Sequence, residues 1–119
     1  MRVAVLEWGG RRKDAIMVDK NGRQMNLMLE SLDAFDNEAI SLRTVISRLD
    51  GLLNALDGMD DHWRKAFQRH WGLLEDVYAN TLDREYATIP REHMLLVNKA
   101  TAEIRRLIAE RQSESHEQG

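Results

Sequence analysis

Cysteine is absent from the 119 residues, which excludes a disulfide framework and any thiolate metal site. The absence fits a reducing compartment, and a cytoplasmic location is the expectation. No apolar run approaches the roughly 18 residues of a membrane span. The opening Met1-Arg2-Val3-Ala4-Val5-Leu6-Glu7-Trp8-Gly9 is too short in its apolar part for a signal peptide, and no small-residue cleavage site follows it.

Catalytic motifs are missing as well. The histidines His62, His70, His93 and His116 form no H-E-x-x-H pair, and no Glu-x-x-His pair of the di-iron bundles occurs. There is no phosphate loop, no G-x-S-x-G and no dinucleotide fingerprint. Ser31, Ser41 and Ser47 have no base partner visible in the sequence. The expectation is a protein with no catalytic residues, no cofactor and no metal.

What is present is the composition of one globular domain, 43% hydrophobic and 31% charged. A chain of this length can bury a single core without staples. The net charge of −3 argues against general nucleic-acid binding. That charge is unevenly spread. Met1 to Gln24 carries six basic and three acidic residues, a balance of +3. Met25 to Asp61 carries two basic and eight acidic residues, a balance of −6, and from His62 onward nine of each cancel. Such asymmetry bears on partners, not on fold.

Four segments show helical periodicity. Met25, Met28, Leu29, Leu32 and Phe35 share one face. Leu42, Val45, Ile46, Leu49, Leu52, Leu53 and Leu56 form an unbroken three-four repeat. Ser41 is placed as its N-cap, Ile40 and Val45 as a hydrophobic staple, and Gly58 as a left-handed stop. Trp63, Ala66, Phe67, Trp71, Leu74, Val77 and Tyr78 line a third helix capped by Asp60 or Asp61 and running to about Arg84. Pro90 suits the first turn of a fourth, which buries Met94, Val97, Ala100, Ile104, Leu107 and Ile108. Short connections between amphipathic helices predict an all-α, antiparallel four-helix bundle over residues 24–111. Residues 1–23 read as a β-hairpin or a mobile arm, since Val3–Trp8 and Ala15–Val18 are β-tolerant and Asn21-Gly22 is a turn dipeptide. The polar tail 112–119 reads as disordered.

Three features bear on binding. The side of helix two opposite its leucines carries Thr44, Ser47, Gly51, Asn54 and Ala55. Glycine in an exposed helix interior costs about 1 kcal/mol against alanine, so Gly51 asks for a reason. Close approach of a partner, including a second copy in a homodimer, is one; tolerance in a well-packed helix is the other. Trp71 lies at the edge of its apolar face, and reads either as core rim or as a partner anchor. Asp33, Asp36, Glu38, Asp57, Asp60 and Asp61 are expected to supply the negative field. His70 reads as a histidine at the core edge.

The stretch SLRTVISRLDGLLNALDGMDDHWRKAFQRHWGLLEDVYANTLDR, Ser41 to Arg84, resembles small bacterial immunity proteins, the helical antidotes of contact-dependent-inhibition and related polymorphic toxins. The likeness lies in the leucine-rich helix, the acidic Asp57-to-Asp61 connection, the Trp63…Trp71-Gly72 pattern and Leu74-Glu75-Asp76-Val77-Tyr78-Ala79. It covers about a third of the chain and omits the basic N-terminal segment. The resemblance implies a protein that binds and blocks one cognate toxin, commonly a nuclease. An acidic surface would suit a basic, phosphate-binding active site. The alternative is a self-associating structural or regulatory module with no toxin partner.

Overall fold

The computed structural model describes the backbone of residues 12–118 and the side chains of residues 20–113. Four helices follow one another: α1 (Arg12–Asp36), α2 (Leu42–Asn54), α3 (Asp61–Asp83) and α4 (Arg91–Gln118). They form an all-α four-helix bundle in which each helix packs on its neighbours in sequence and α4 returns to α1. Among the described residues there is no strand, and no helix is long and apolar enough to cross a membrane.

Specific bonds fix the antiparallel order. Lys20 and Asn21, in the first half of α1, reach Asp57 beyond the end of α2. Trp71 of α3 bonds Ile46 of α2, and Arg64 reaches back to the Leu53 and Leu56 carbonyls. Trp63 of α3 donates to the Leu107 carbonyl of α4. Gln112 of α4 meets Asn26 of α1, and Arg105 meets Asp33 and Asp36.

Most of the expected stripes form the core, while Leu29, Leu52, Ala66, Trp71, Tyr78 and Met94 are only partly buried against it. Met25, Met28, Leu32 and Phe35 of α1 pack with Leu42, Val45, Ile46, Leu49 and Leu53 of α2. Trp63, Phe67, Leu74 and Val77 of α3 meet Val97, Ala100, Ile104, Leu107 and Ile108 of α4. Ser41 caps α2, its Oγ accepting from the Thr44 N–H at 3.1 Å.

The boundaries differ from the sequence expectation in several places. Helix α1 begins at Arg12, so Ala15–Val18 and the Asn21-Gly22 dipeptide are helical and not a hairpin. Asn21 is used for a tertiary purpose: its side chain donates to the Asp57 carbonyl at 2.8 Å and accepts from the Asp57 N–H at 3.1 Å. That double contact rewards a helical Asn21 over a turn. Val3–Trp8 lies outside the described residues. Helix α2 ends at Asn54, with Ala55 as its C-cap, so Gly58 takes its left-handed conformation three residues beyond the cap. Helix α4 starts at Arg91 and continues to Gln118, which makes residues 112–118 helix and not a disordered tail.

Two C-termini are unusual. At the end of α1 the Ala39 N–H reaches the Ala34 carbonyl and the Glu38 N–H the Phe35 carbonyl. At the end of α3 the Tyr86 N–H reaches Thr81 and the Glu85 N–H reaches Leu82. Both are Schellman motifs, which favour glycine at the left-handed position. Here Glu38 (φ 62°) and Glu85 (φ 54°) occupy it. A β-carbon in that region crowds the following carbonyl. Glu38→Gly and Glu85→Gly should therefore each stabilise the fold by about 0.5–1 kcal/mol, after the greater freedom of glycine in the unfolded chain is counted. Urea denaturation checks this. A loss of stability in both variants would show that the glutamate side chains contribute more than the backbone strain costs.

Candidate docking surface

The residues expected to carry the negative field are largely committed to intramolecular pairs. Arg105 of α4 bridges Asp33 at 2.8 Å and Asp36 at 2.5 Å, clamping the last turns of α1. Burial works against the charge on Arg105, but the bonds and fields of the two carboxylates outweigh it, so its pKa rises above the ordinary value. Asp57 pairs with Lys20 at 2.9 Å and Asp61 with Lys65 at 3.3 Å, one turn on in α3. Glu38 is exposed in its strained position at the opposite end of the bundle from Asp57, Asp60 and Asp61. The six carboxylates thus do not gather into one patch.

Asp60 occupies the N-cap position of α3, but its side chain makes no cap bond. Its carbonyl accepts the Arg64 N–H at 3.0 Å, and both Asp60 and Asp61 sit at the positive end of the helix dipole. The expected side-chain cap is therefore replaced by an electrostatic contribution alone.

Trp71 is half-buried against the core, and its Nε1–H donates to the Ile46 carbonyl at 2.9 Å. It fastens α3 to α2, so the ring's polar end is already used. His70 is half-buried at the edge of the same face.

Gly51 is different. It is exposed, and a β-carbon built there would meet nothing within 4 Å. It lies in an open groove of about 500 Å³ between the outer faces of α1 and α2, lined by Leu27, Glu30, Ser31, Ala34, Ser47, Arg48, Gly51 and Leu52. Leu27 is 39% exposed there, outside the core stripe of α1. Glu30 and Arg48 stand on opposite helices and both are exposed, with no ion pair between them. The small residues on α2 were legible in the sequence; Leu27 and Glu30 were not, because nothing local showed which part of α1 would flank Gly51.

A second cavity, about 630 Å³, opens between the α1–α2 and α3–α4 connections. Phe35, Ile40, Ile89 and Met94 line it along with Glu38, Ser41 and Asn98. Near this end lie Leu82, Tyr86, Leu95 and Leu96, four of the five exposed large hydrophobic residues among the described residues. The neighbouring His93 has a buried Nδ1 with no hydrogen-bond partner among the described residues. Among the described residues no group of three or more His, Cys, Asp or Glu is placed to hold a metal ion.

No protein-family model matches the chain, and comparison with curated proteins and with solved structures finds no match.

Proposed function

We propose that this chain is a non-enzymatic protein-binding module that docks a partner in the α1/α2 outer groove. The observation that carries the reading is the open groove itself: an exposed leucine beside a glycine with empty space above it, rimmed by two charges that make no ion pair among the described residues. A concave apolar strip with a polar rim is the anatomy of an interface core. Gly51 lets a partner's side chain approach the α2 backbone, which gives a reason for its propensity cost.

The toxin-neutralising role implied by the resemblance is a narrower form of the same proposal. It would draw on the acidic residues that make no ion pair among the described residues, such as Glu30, Asp50 and Asp60, since Asp33, Asp36, Asp57 and Asp61 are already engaged. A basic toxin would then approach along α1 and α2 at Glu30 and Asp50, with Asp60, the one carboxylate of the Asp57–Asp61 connection that makes no ion pair among the described residues, within its reach.

The test is site-specific photo-crosslinking in the native cell. A photoreactive residue at Ser47 in the groove should give a discrete adduct, while the same residue at Lys99 on the exposed side of α4 should not. Equal labelling at both positions, or none at Ser47, would remove the groove as a docking surface.

A further inference from the structure

We infer that the occupant of the α1/α2 groove is the same groove of a second copy, related by a twofold axis running along the helices. This rests on the docking reading above and names the partner. The argument begins with register. Asn21 of α1 bonds Asp57, and α1 and α2 run antiparallel from there. Six residues on from Asn21 is Leu27, and six back from Asp57 is Gly51. Nine residues give Glu30 and Arg48, and ten give Ser31 and Ser47. Each pair therefore stands at about the same height on opposite walls of the groove, and all six residues line it.

A twofold axis parallel to the helices keeps heights unchanged and exchanges the walls. It lays α1 of one copy over α2 of the other. Leu27, the exposed knob, then faces Gly51 of the second copy, the position where a β-carbon would meet nothing. Glu30 faces Arg48 of the second copy, and Ser31 faces Ser47. The contact is isologous, so every pair occurs twice. The competing twofold, across the groove at the height of Glu30 and Arg48, would lay α1 on α1. It would set Glu30 against Glu30 and Arg48 against Arg48, and like charges at close quarters oppose it. Charge and shape thus select the same arrangement.

The size of the face sets the strength. Helix α2 has 13 residues, about 20 Å at 1.5 Å per residue. A face two helices wide and this long lies toward the small end of specific interfaces, so a dissociation constant of about 1–100 μM is expected.

Sedimentation equilibrium on the full chain tests the inference. The wild type should dimerise in that range. Glu30→Arg and Arg48→Glu should each weaken association by about tenfold or more, and the double variant should restore it to within about threefold, because the reversed charges again match. Gly51→Arg, which fills the space opposite Leu27, should give a monomer. All three positions are exposed, and circular dichroism confirms that each of the four variants is folded. A wild type that is monomeric at about 1 mM, or a dimer indifferent to both charge reversals, would overturn the second-copy assignment. A monomer that still gives a discrete Ser47 adduct with a different protein overturns only this inference and leaves the docking reading standing. A monomer with no adduct overturns both.

Discussion

Leu49→Ala should destabilise the protein by about 2–5 kcal/mol, the loss of transfer energy plus the cavity left behind. Leu49 is fully buried on α2, the shortest of the four helices, which is held between α1 and α3. Because α2 has only 13 residues, five of them buried, each core contact is a large share of what holds it. A helix this short has little stability of its own and depends on tertiary packing. Set against a typical total of about 5–15 kcal/mol, the loss is enough to bring the domain near its unfolding threshold. Leu52 on the same helix is half-buried and lines the outer groove, so Leu52→Ala should cost less than Leu49→Ala. Urea denaturation of both variants measures the difference. Equal costs would mean that the groove wall is as much core as the inner stripe, and a loss below about 1 kcal/mol for Leu49→Ala would mean the stripe is not the core.

The core was legible because helical periodicity places apolar residues without knowledge of their partners. Leu42, Val45, Ile46, Leu49 and Leu53 are buried together because they recur every three or four residues, and the same holds for Val97, Ala100, Ile104, Leu107 and Ile108. The end of α3 at Asp83 was also legible from its pattern. The beginning of α1 was not. Asn21-Gly22 is a strong local turn signal, and the contact that overrides it lies with Asp57, 36 positions away.

Charge misled for the same reason. Counting carboxylates gives a strongly acidic middle segment, but the arginine that takes up Asp33 and Asp36 stands at position 105, on another helix. Lys20 does the same for Asp57 from the opposite side of the charge boundary drawn at Gln24. Formal charge along a sequence states how many ions there are, and only the fold states which remain available to a partner. The groove shows the converse. Gly51 stood out by its propensity cost, yet its meaning depended on Leu27 and Glu30 being brought level with it by the antiparallel register.

Trp63→Ala should give the largest loss of any single truncation considered, about 3–5 kcal/mol. Trp63 sits in the first turn of α3, buried, with its ring 5.4 Å from that of Phe67 at a tilt of 38°. Its Nε1–H crosses to the Leu107 carbonyl of α4 at 2.9 Å. The ring thus joins the two helices by area, by aromatic contact and by one buried hydrogen bond. These contributions separate experimentally. Trp63→Phe keeps most of the area and removes the donor. The Leu107 carbonyl lies inside a continuous helix and retains its own N–H four residues on, so no buried acceptor is orphaned. The phenylalanine variant should therefore lose only the net worth of one hydrogen bond and some volume, about 1–2 kcal/mol. Thermal and urea unfolding followed by circular dichroism would read both variants. A phenylalanine variant as unstable as the alanine one would place most of the ring's contribution in the Leu107 bond and not in packing. An alanine variant costing under about 1 kcal/mol would show that the α3–α4 pair does not depend on this ring.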